Sequence, residues 1–245
     1  MESFFFLIGY TRSGSTLLGS LLNAHPEMVI AHEADIMRYV RPGITRNQLF
    51  AILLTRDRQF AAIGRKWSGF DYAVQGHGQG TFGRLRVIGD KHADKAAQHL
   101  HNDPGRLDRL RAVVRVPIRA VHLVRNPFDT IASIARNREL PLSSAIAIYR
   151  GFGVAVDDVL NRLDADELLE IRYETFTADT VRSLSSILGF LGVGAPGDYL
   201  NACAALVDSE GRPGRRTFEW PSTERRRVED LIAARPVLAG YTFNG

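Results

Sequence analysis

The chain has 245 residues, 45% hydrophobic and 24% charged, with 31 basic against 27 acidic side chains and a formal net charge of +4. That length suits one large domain, and the mixed composition excludes disordered and fibrous classes. A lone Cys203 excludes a disulfide framework and any multi-cysteine metal site, and no apolar run approaches the ~18 residues of a membrane-spanning helix.

In chain order, short apolar runs alternate with helical patterns, which predicts an α/β domain with a mainly parallel central sheet flanked by helices. Phe4–Gly9 reads as a buried strand. No basic leader precedes it, so it is not a signal peptide, and the expectation is a soluble cytoplasmic protein. A helix follows from about Ser15 to Asn23, then a short strand at Met28–Ile30. Residues 40–85 are less regular and end in Gly76-His77-Gly78-Gln79-Gly80. No clear strand precedes that stretch and no helix follows, so it predicts a mobile loop over a site rather than a nucleotide fingerprint. Further strands are expected at Arg86–Ile88, Ala120–Val124 and Leu168–Ile171. Asn126-Pro127-Phe128-Asp129 has a capping residue, a proline for the first helical position and an acid for the dipole, so it starts a helix. Val181, Leu184, Ile187, Leu188 and Leu191 keep helical spacing and should pack on the sheet.

The segment Gly9-Tyr10-Thr11-Arg12-Ser13-Gly14-Ser15-Thr16 joins the first strand to the first helix. Glycines let the backbone curl, amides point inward, and the helix start adds positive potential, which suits an anion. The segment nearly spells the nucleoside-triphosphatase loop Gly-x4-Gly-Lys-Ser/Thr, but Ser15 stands where the lysine belongs and Arg12 supplies the charge instead. A phosphate-like group fits better than a triphosphate with Mg²⁺.

From Arg12 through Leu18, with Leu21-Leu22 and His25-Pro26 behind, the sequence resembles the 5′-phosphosulfate loop of sulfotransferases that use 3′-phosphoadenosine 5′-phosphosulfate (PAPS). The resemblance implies a single P-loop-type domain over 1–245. It gives Arg12 contact with the 5′-phosphate and the sulfuryl group, and Ser13, Gly14, Ser15 and Thr16 the rest of the cradle. Arg125 and Ser133 stand eight residues apart, the spacing at which the family binds the 3′-phosphate. By themselves they read as a surface arginine and an inconsequential helix serine. Ile171-Arg172-Tyr173-Glu174 is similar to the family's late strand with its Tyr-Glu pair. Ser209 to Arg216 resembles the loop that folds over the nucleotide, with Arg212 and Arg215 as candidate ligands. Residues 212–227 hold six arginines against two glutamates, either a solvated face or that lid.

Tyrosylprotein sulfotransferases resemble the run from Arg12 to Glu33 without a gap, and this implies Glu33 as general base. Burial near the sulfate would raise its pKa. A glutamate favouring a helix start is the competing explanation, and His32 is the fallback base. Lys91 follows a strand end, where those enzymes place a lysine that stabilises the transition state. An Asp90–Lys91 surface pair is the alternative. The resemblance leaves the acceptor open among small molecules, lipids, carbohydrates and peptides, with 40–85 and 140–165 as acceptor-facing segments. Oligomeric state is left open. The same-fold alternative is an ATP-dependent phosphotransferase. A nucleic-acid-binding module, suggested by the pI of about 9.4, lacks any reader motif, so nucleic acid is not an expected partner.

Overall fold

The computed structural model describes residues 1–207 and 214–244. Five parallel strands form the main sheet: β1 (Ser3–Gly9), β2 (Met28–His32), β5 (Val87–Lys91), β6 (Ile118–Val124) and β7 (Leu168–Arg172), in spatial order β2-β5-β1-β6-β7. A separate antiparallel hairpin pairs β3 (Lys66–Trp67) with β4 (Phe70–Asp71). The helices are α1 (Ser15–Asn23), α2 (Arg46–Ala62), α3 (Ala93–Asn102), α4 (Arg106–Val114), α5 (Pro127–Arg138), α6 (Leu142–Leu160), α7 (Tyr173–Ala178), α8 (Thr180–Leu191), α9 (Gly197–Leu206) and α10 (Ser222–Ala233). Among the described residues no helix is long and apolar enough to cross a membrane.

All seven residues of β1 are buried, because helices cover both faces of the sheet. Alternation then divides its side chains. Phe4, Phe6 and Ile8 join a core with Leu49 and Leu53 of α2, Leu100 of α3 and Val156 of α6. Phe5 and Leu7 join a second core with Leu18 and Leu21 of α1, Leu184 and Ile187 of α8 and Tyr199 of α9. Each fully buried side chain of this kind contributes about 1.5–3 kcal/mol before entropy is counted.

The chain runs outward from β1 to β2, returns through β5, and then crosses to β6 on the other side of β1. The direction of winding therefore reverses at β1, and the crevice opens beyond its carboxyl end. Residues 10–14, between β1 and α1, lie there.

Several expectations need correction. Strand β5 runs through Asp90 and Lys91, which are 3% and 2% exposed, so they are no surface pair. Asp90 is tolerated in the sheet because its carboxylate accepts the amides of Ala34 and Ile36, both at 2.9 Å. Val181 is on the outer face of α8 and half exposed. Residues 140–165 form mainly α6, which packs on α3 and α5 and contributes no residue to the cleft beside the phosphate loop. The glycine-rich loop is tied to the end of α1: Gly80 N–H donates to Asn23 O at 3.2 Å, and Gln79 Nε2 to Ser20 O at 2.9 Å.

Candidate active site

The phosphate loop gets its shape from two left-handed residues, Arg12 at φ 65° and Gly14 at φ 95°. Gly14 immediately precedes α1 and has no side chain to cap it, which leaves the first amides of a nine-residue helix free for an anion. A Cβ on Gly14 would overlap the Tyr173 ring, so glycine is required twice over, by backbone and by space. Ser13 differs from its neighbours. It is fully buried, its hydroxyl has no partner, and it points into the protein, so among the loop hydroxyls only Thr11, Ser15 and Thr16 face the cleft.

Arg125 and Ser133 come to this loop from the other side of β1. Arg125 leaves the end of β6, and Ser133 lies on α5, whose start is capped by Asn126 accepting from Phe128 N–H. Arg12 Nε donates to Ser133 Oγ at 3.1 Å, and Arg125 Nη1 reaches Arg12 O at 3.4 Å. Arg125 also stacks over Tyr173, 4.6 Å from the ring centroid, and its Nε is buried without a partner. Among the described residues neither arginine pairs with a carboxylate. Glu174 fixes this corner by accepting from Asn126 N–H at 2.9 Å and Tyr241 O–H at 2.7 Å, while Asn126 Nδ2 donates to Thr242 O at 2.9 Å.

Lys91 comes from the end of β5 and runs beneath α1. It passes Gly19, where any Cβ would strike its stem, and ends between the loop and Glu33. Its Nζ donates to Thr16 Oγ1 at 2.9 Å and to Glu33 Oε1 at 2.8 Å. Glu33 follows β2 in a left-handed turn at φ 50°, so it is not a helix-start residue. Burial alone would raise the Glu33 pKa, but the charge and hydrogen bond of Lys91 outweigh it and hold the carboxyl below its ordinary value. The expected upward shift is thus reversed. Lys91 is itself lowered by burial, against the opposing pull of Glu33 and Asp90. His32 is buried, stacked on Phe60 at 4.0 Å and edge-on to Trp67. Burial and then Lys91 push its pKa down to about 3, which leaves a neutral ring outside the cleft lining.

Arg12, Gly14, Thr16, Glu33, Arg125 and Ser133 line a cleft of about 370 Å³, with Lys91 buried behind Thr16 and Glu33. Its far wall comes from the 40–85 segment, through Trp67, Phe70, Asp71 and Tyr72 of a hairpin not expected there, with His92 and Asp94 at the start of α3. The hairpin turn is Ser68-Gly69, both at positive φ, so a Ser-Gly dipeptide between aromatic residues was the available signal. The stems are held by a buried pair, Arg65 Nη1 to Asp57 Oδ1 at 2.9 Å, which also receives Asn23 Nδ2 at 2.7 Å. The glycine-rich loop contributes nothing to the lining.

The C-terminal basic segment behaves differently from the resemblance. Arg212 lies outside the described residues. Arg215 is 7% exposed and bound to Asp129 of α5 through its amide at 2.9 Å and its Nη1 at 2.5 Å, away from the cleft lining. Arg225, Arg226 and Arg227 lie on the exposed side of α10, which is the solvated face of the two readings. Cys203 is buried, and burial raises its thiol to about 12.

Comparison of structures finds the same fold in proteins of low sequence identity. The sulfotransferase domain of the Synechococcus PCC 7002 olefin synthase is 19% identical, with TM-score 0.55 over 94% of this chain and 93% of that one. The sulfotransferase domain from the curacin biosynthetic pathway is 18% identical, with TM-score 0.58 over 94% and 98%. Mouse sulfotransferase SULT7A1, solved with adenosine 3′,5′-bisphosphate (PAP), is 15% identical, with TM-score 0.51 over 98% and 85%. No curated protein matches the chain in sequence. These comparisons do not show the narrower likeness to tyrosylprotein enzymes. The profile of the Sulfotransferase family matches residues 5–196, more than half of the sequence, and the chain belongs to that family.

Proposed function

We propose that the protein transfers the sulfuryl group of PAPS to an acceptor hydroxyl on a metabolite, lipid, carbohydrate or peptide. The carrying observation is Lys91, whose ammonium touches both Thr16 of the phosphate loop and Glu33. In a nucleoside-triphosphatase loop the hydroxyl at the Thr16 position serves Mg²⁺. Here a buried ammonium takes that hydroxyl, which supports a sulfate donor over ATP.

The residues fit such a donor. Gly14 and the free amides of α1 suit the 5′-phosphate, with Arg12 beside them. Arg125 and Ser133 suit the 3′-phosphate, and the buried Nε of Arg125 still lacks an acceptor. When bound, PAPS supplies a sulfuryl group that leaves its 5′-phosphate oxygen as the acceptor oxygen bonds to sulfur. Glu33, held ionised by Lys91, takes the acceptor's proton. Lys91 uses two of its three donors at Thr16 and Glu33, and the third is free for charge developing on the departing oxygen. A second reading makes His92 the base, because its ring lines the cleft with a buried Nδ1 that has no partner.

Calorimetry with PAP tests the donor assignment. The unmodified protein should bind PAP, and Arg12→Ala or Arg125→Ala should weaken binding about tenfold to a hundredfold. Absence of binding by the unmodified protein sinks the proposal. Glu33→Gln should retain PAP affinity and lose turnover, whereas a fully active Glu33→Gln transfers the role to His92.

A further inference from the structure

Glu33 faces two concavities. One is the cleft of the phosphate loop. The other is a groove of about 470 Å³ between the 3-10 turn Ile36–Tyr39 and one face of α2. Ala51, Ile52, Thr55 and Arg56 line it at spacings of one helical face, opposite Tyr39. Its two ends differ in chemistry. Tyr39, Ala51 and Ile52 make one end apolar. At the other, Arg56 Nε donates to His32 O at 3.3 Å, which holds the guanidinium beside the residue that precedes Glu33. Arg56 Nη1 donates to Gln59 Oε1 at 3.3 Å, and among the described residues Arg56 has no carboxylate partner.

From this we infer that the groove is the acceptor subsite and takes a small hydroxy acid with an apolar chain. This inference rests on Glu33 as the base. The carboxylate pairs with Arg56, the neighbouring hydroxyl reaches Glu33, and the chain lies along Ile52 and Tyr39. Charge complementarity favours this occupant over a neutral alcohol, since the groove offers an unpaired cation close to where the hydroxyl must sit. Among the described residues the only lining group shared with the donor cleft is Glu33, so donor and acceptor approach it from separate openings. In the transfer, the acceptor O–S bond forms, the bond from sulfur to the 5′-phosphate oxygen breaks with its electrons going to PAP, and the hydroxyl proton passes to Glu33.

The test uses the full chain with PAPS and two probes, 2-hydroxyoctanoate and 2-octanol, with sulfated product read by mass spectrometry and PAP binding measured on the same protein. The expected result is kcat/KM about tenfold or more higher for the hydroxy acid, with that preference lost in Arg56→Gln. Arg56 is exposed, so the variant should fold, and its PAP affinity reports that it has. If PAP binds but 2-octanol is turned over equally well, neither probe is sulfated, or the preference survives in Arg56→Gln, the groove assignment is overturned and the donor reading stands. If the unmodified protein does not bind PAP, the donor reading fails and this inference falls with it.

Discussion

The two walls of the cleft are built in different ways. On the donor side, Lys91 and Arg125 extend from the ends of β5 and β6, and Arg12 and Thr16 from the loop and helix that follow β1 between them. They sit at or just beyond the strand ends, and Arg12 already holds Ser133 while Lys91 holds Thr16 and Glu33. On the opposite side, Trp67, Phe70 and Tyr72 stand on or beside a hairpin of two-residue strands that is separate from the sheet, and Phe70 is 63% exposed. That wall depends on the Asp57–Arg65 pair at the hairpin's base. One wall is therefore set by the fold and carries the cations, and the other is an attachment to it.

The largest test of this division is Lys91→Ala. Turnover should fall about 10²–10³-fold while PAP affinity changes far less, read by steady-state kinetics beside calorimetry. A variant that loses only PAP affinity would move Lys91 from chemistry to binding. Next comes Asp129→Ala, which strands the buried Arg215 guanidinium. Thermal or denaturant unfolding should show a loss of about 3–5 kcal/mol. A loss under about 1 kcal/mol, with PAP affinity falling sharply instead, would return Arg215 to the nucleotide lid.

The pH profile sharpens the contrast further. Glu33 is depressed by Lys91, so its contribution to stability and its ionised form are present at neutral pH and are lost as pH falls through its lowered pKa. The acid limb of kcat/KM should therefore lie below the ordinary carboxylate range. Lys91 is lowered by burial, so the alkaline limb should begin below the ordinary lysine range. An acid limb at or above the ordinary carboxylate range would count against Glu33 as the base. The smallest effect belongs to Phe70→Ser: stability should change by less than about 0.5 kcal/mol and PAP affinity should not move. A change in PAP affinity would erase the distinction between the walls.

The same division explains what could be read from the sequence. The first helix falls on Ser15–Asn23 as expected, because a glycine-bearing turn and a run of leucines leave few alternatives. Arg125 and Ser133 were tied to Arg12 by a resemblance, and 121 residues of sequence separate the Arg12–Ser133 bond that joins the motifs. The hairpin was missed because its strands have two residues each, too short for any periodicity, and because the nearby glycines drew attention to a loop that packs elsewhere. The pairing of Arg215 is hidden for a plainer reason. Charge density in a sequence does not reveal which arginine is neutralised, and Asp129, its partner, lies 86 residues away. The fate of Glu33's proton was likewise unreadable, since the shift depends on an ammonium 58 residues distant.

The clasp at Glu174 has a consequence for assembly. The start of α5, which follows directly on Arg125, is tied by Asn126 to groups 48 and 116 residues further along the chain. Closing such long loops is entropically costly and slow relative to local structure. The corner beside Arg125 thus exists only when distant parts of the chain have come together, as β1 and β6 must in the sheet beneath it. A ligand that binds only the completed corner stabilises the whole folded chain by linkage.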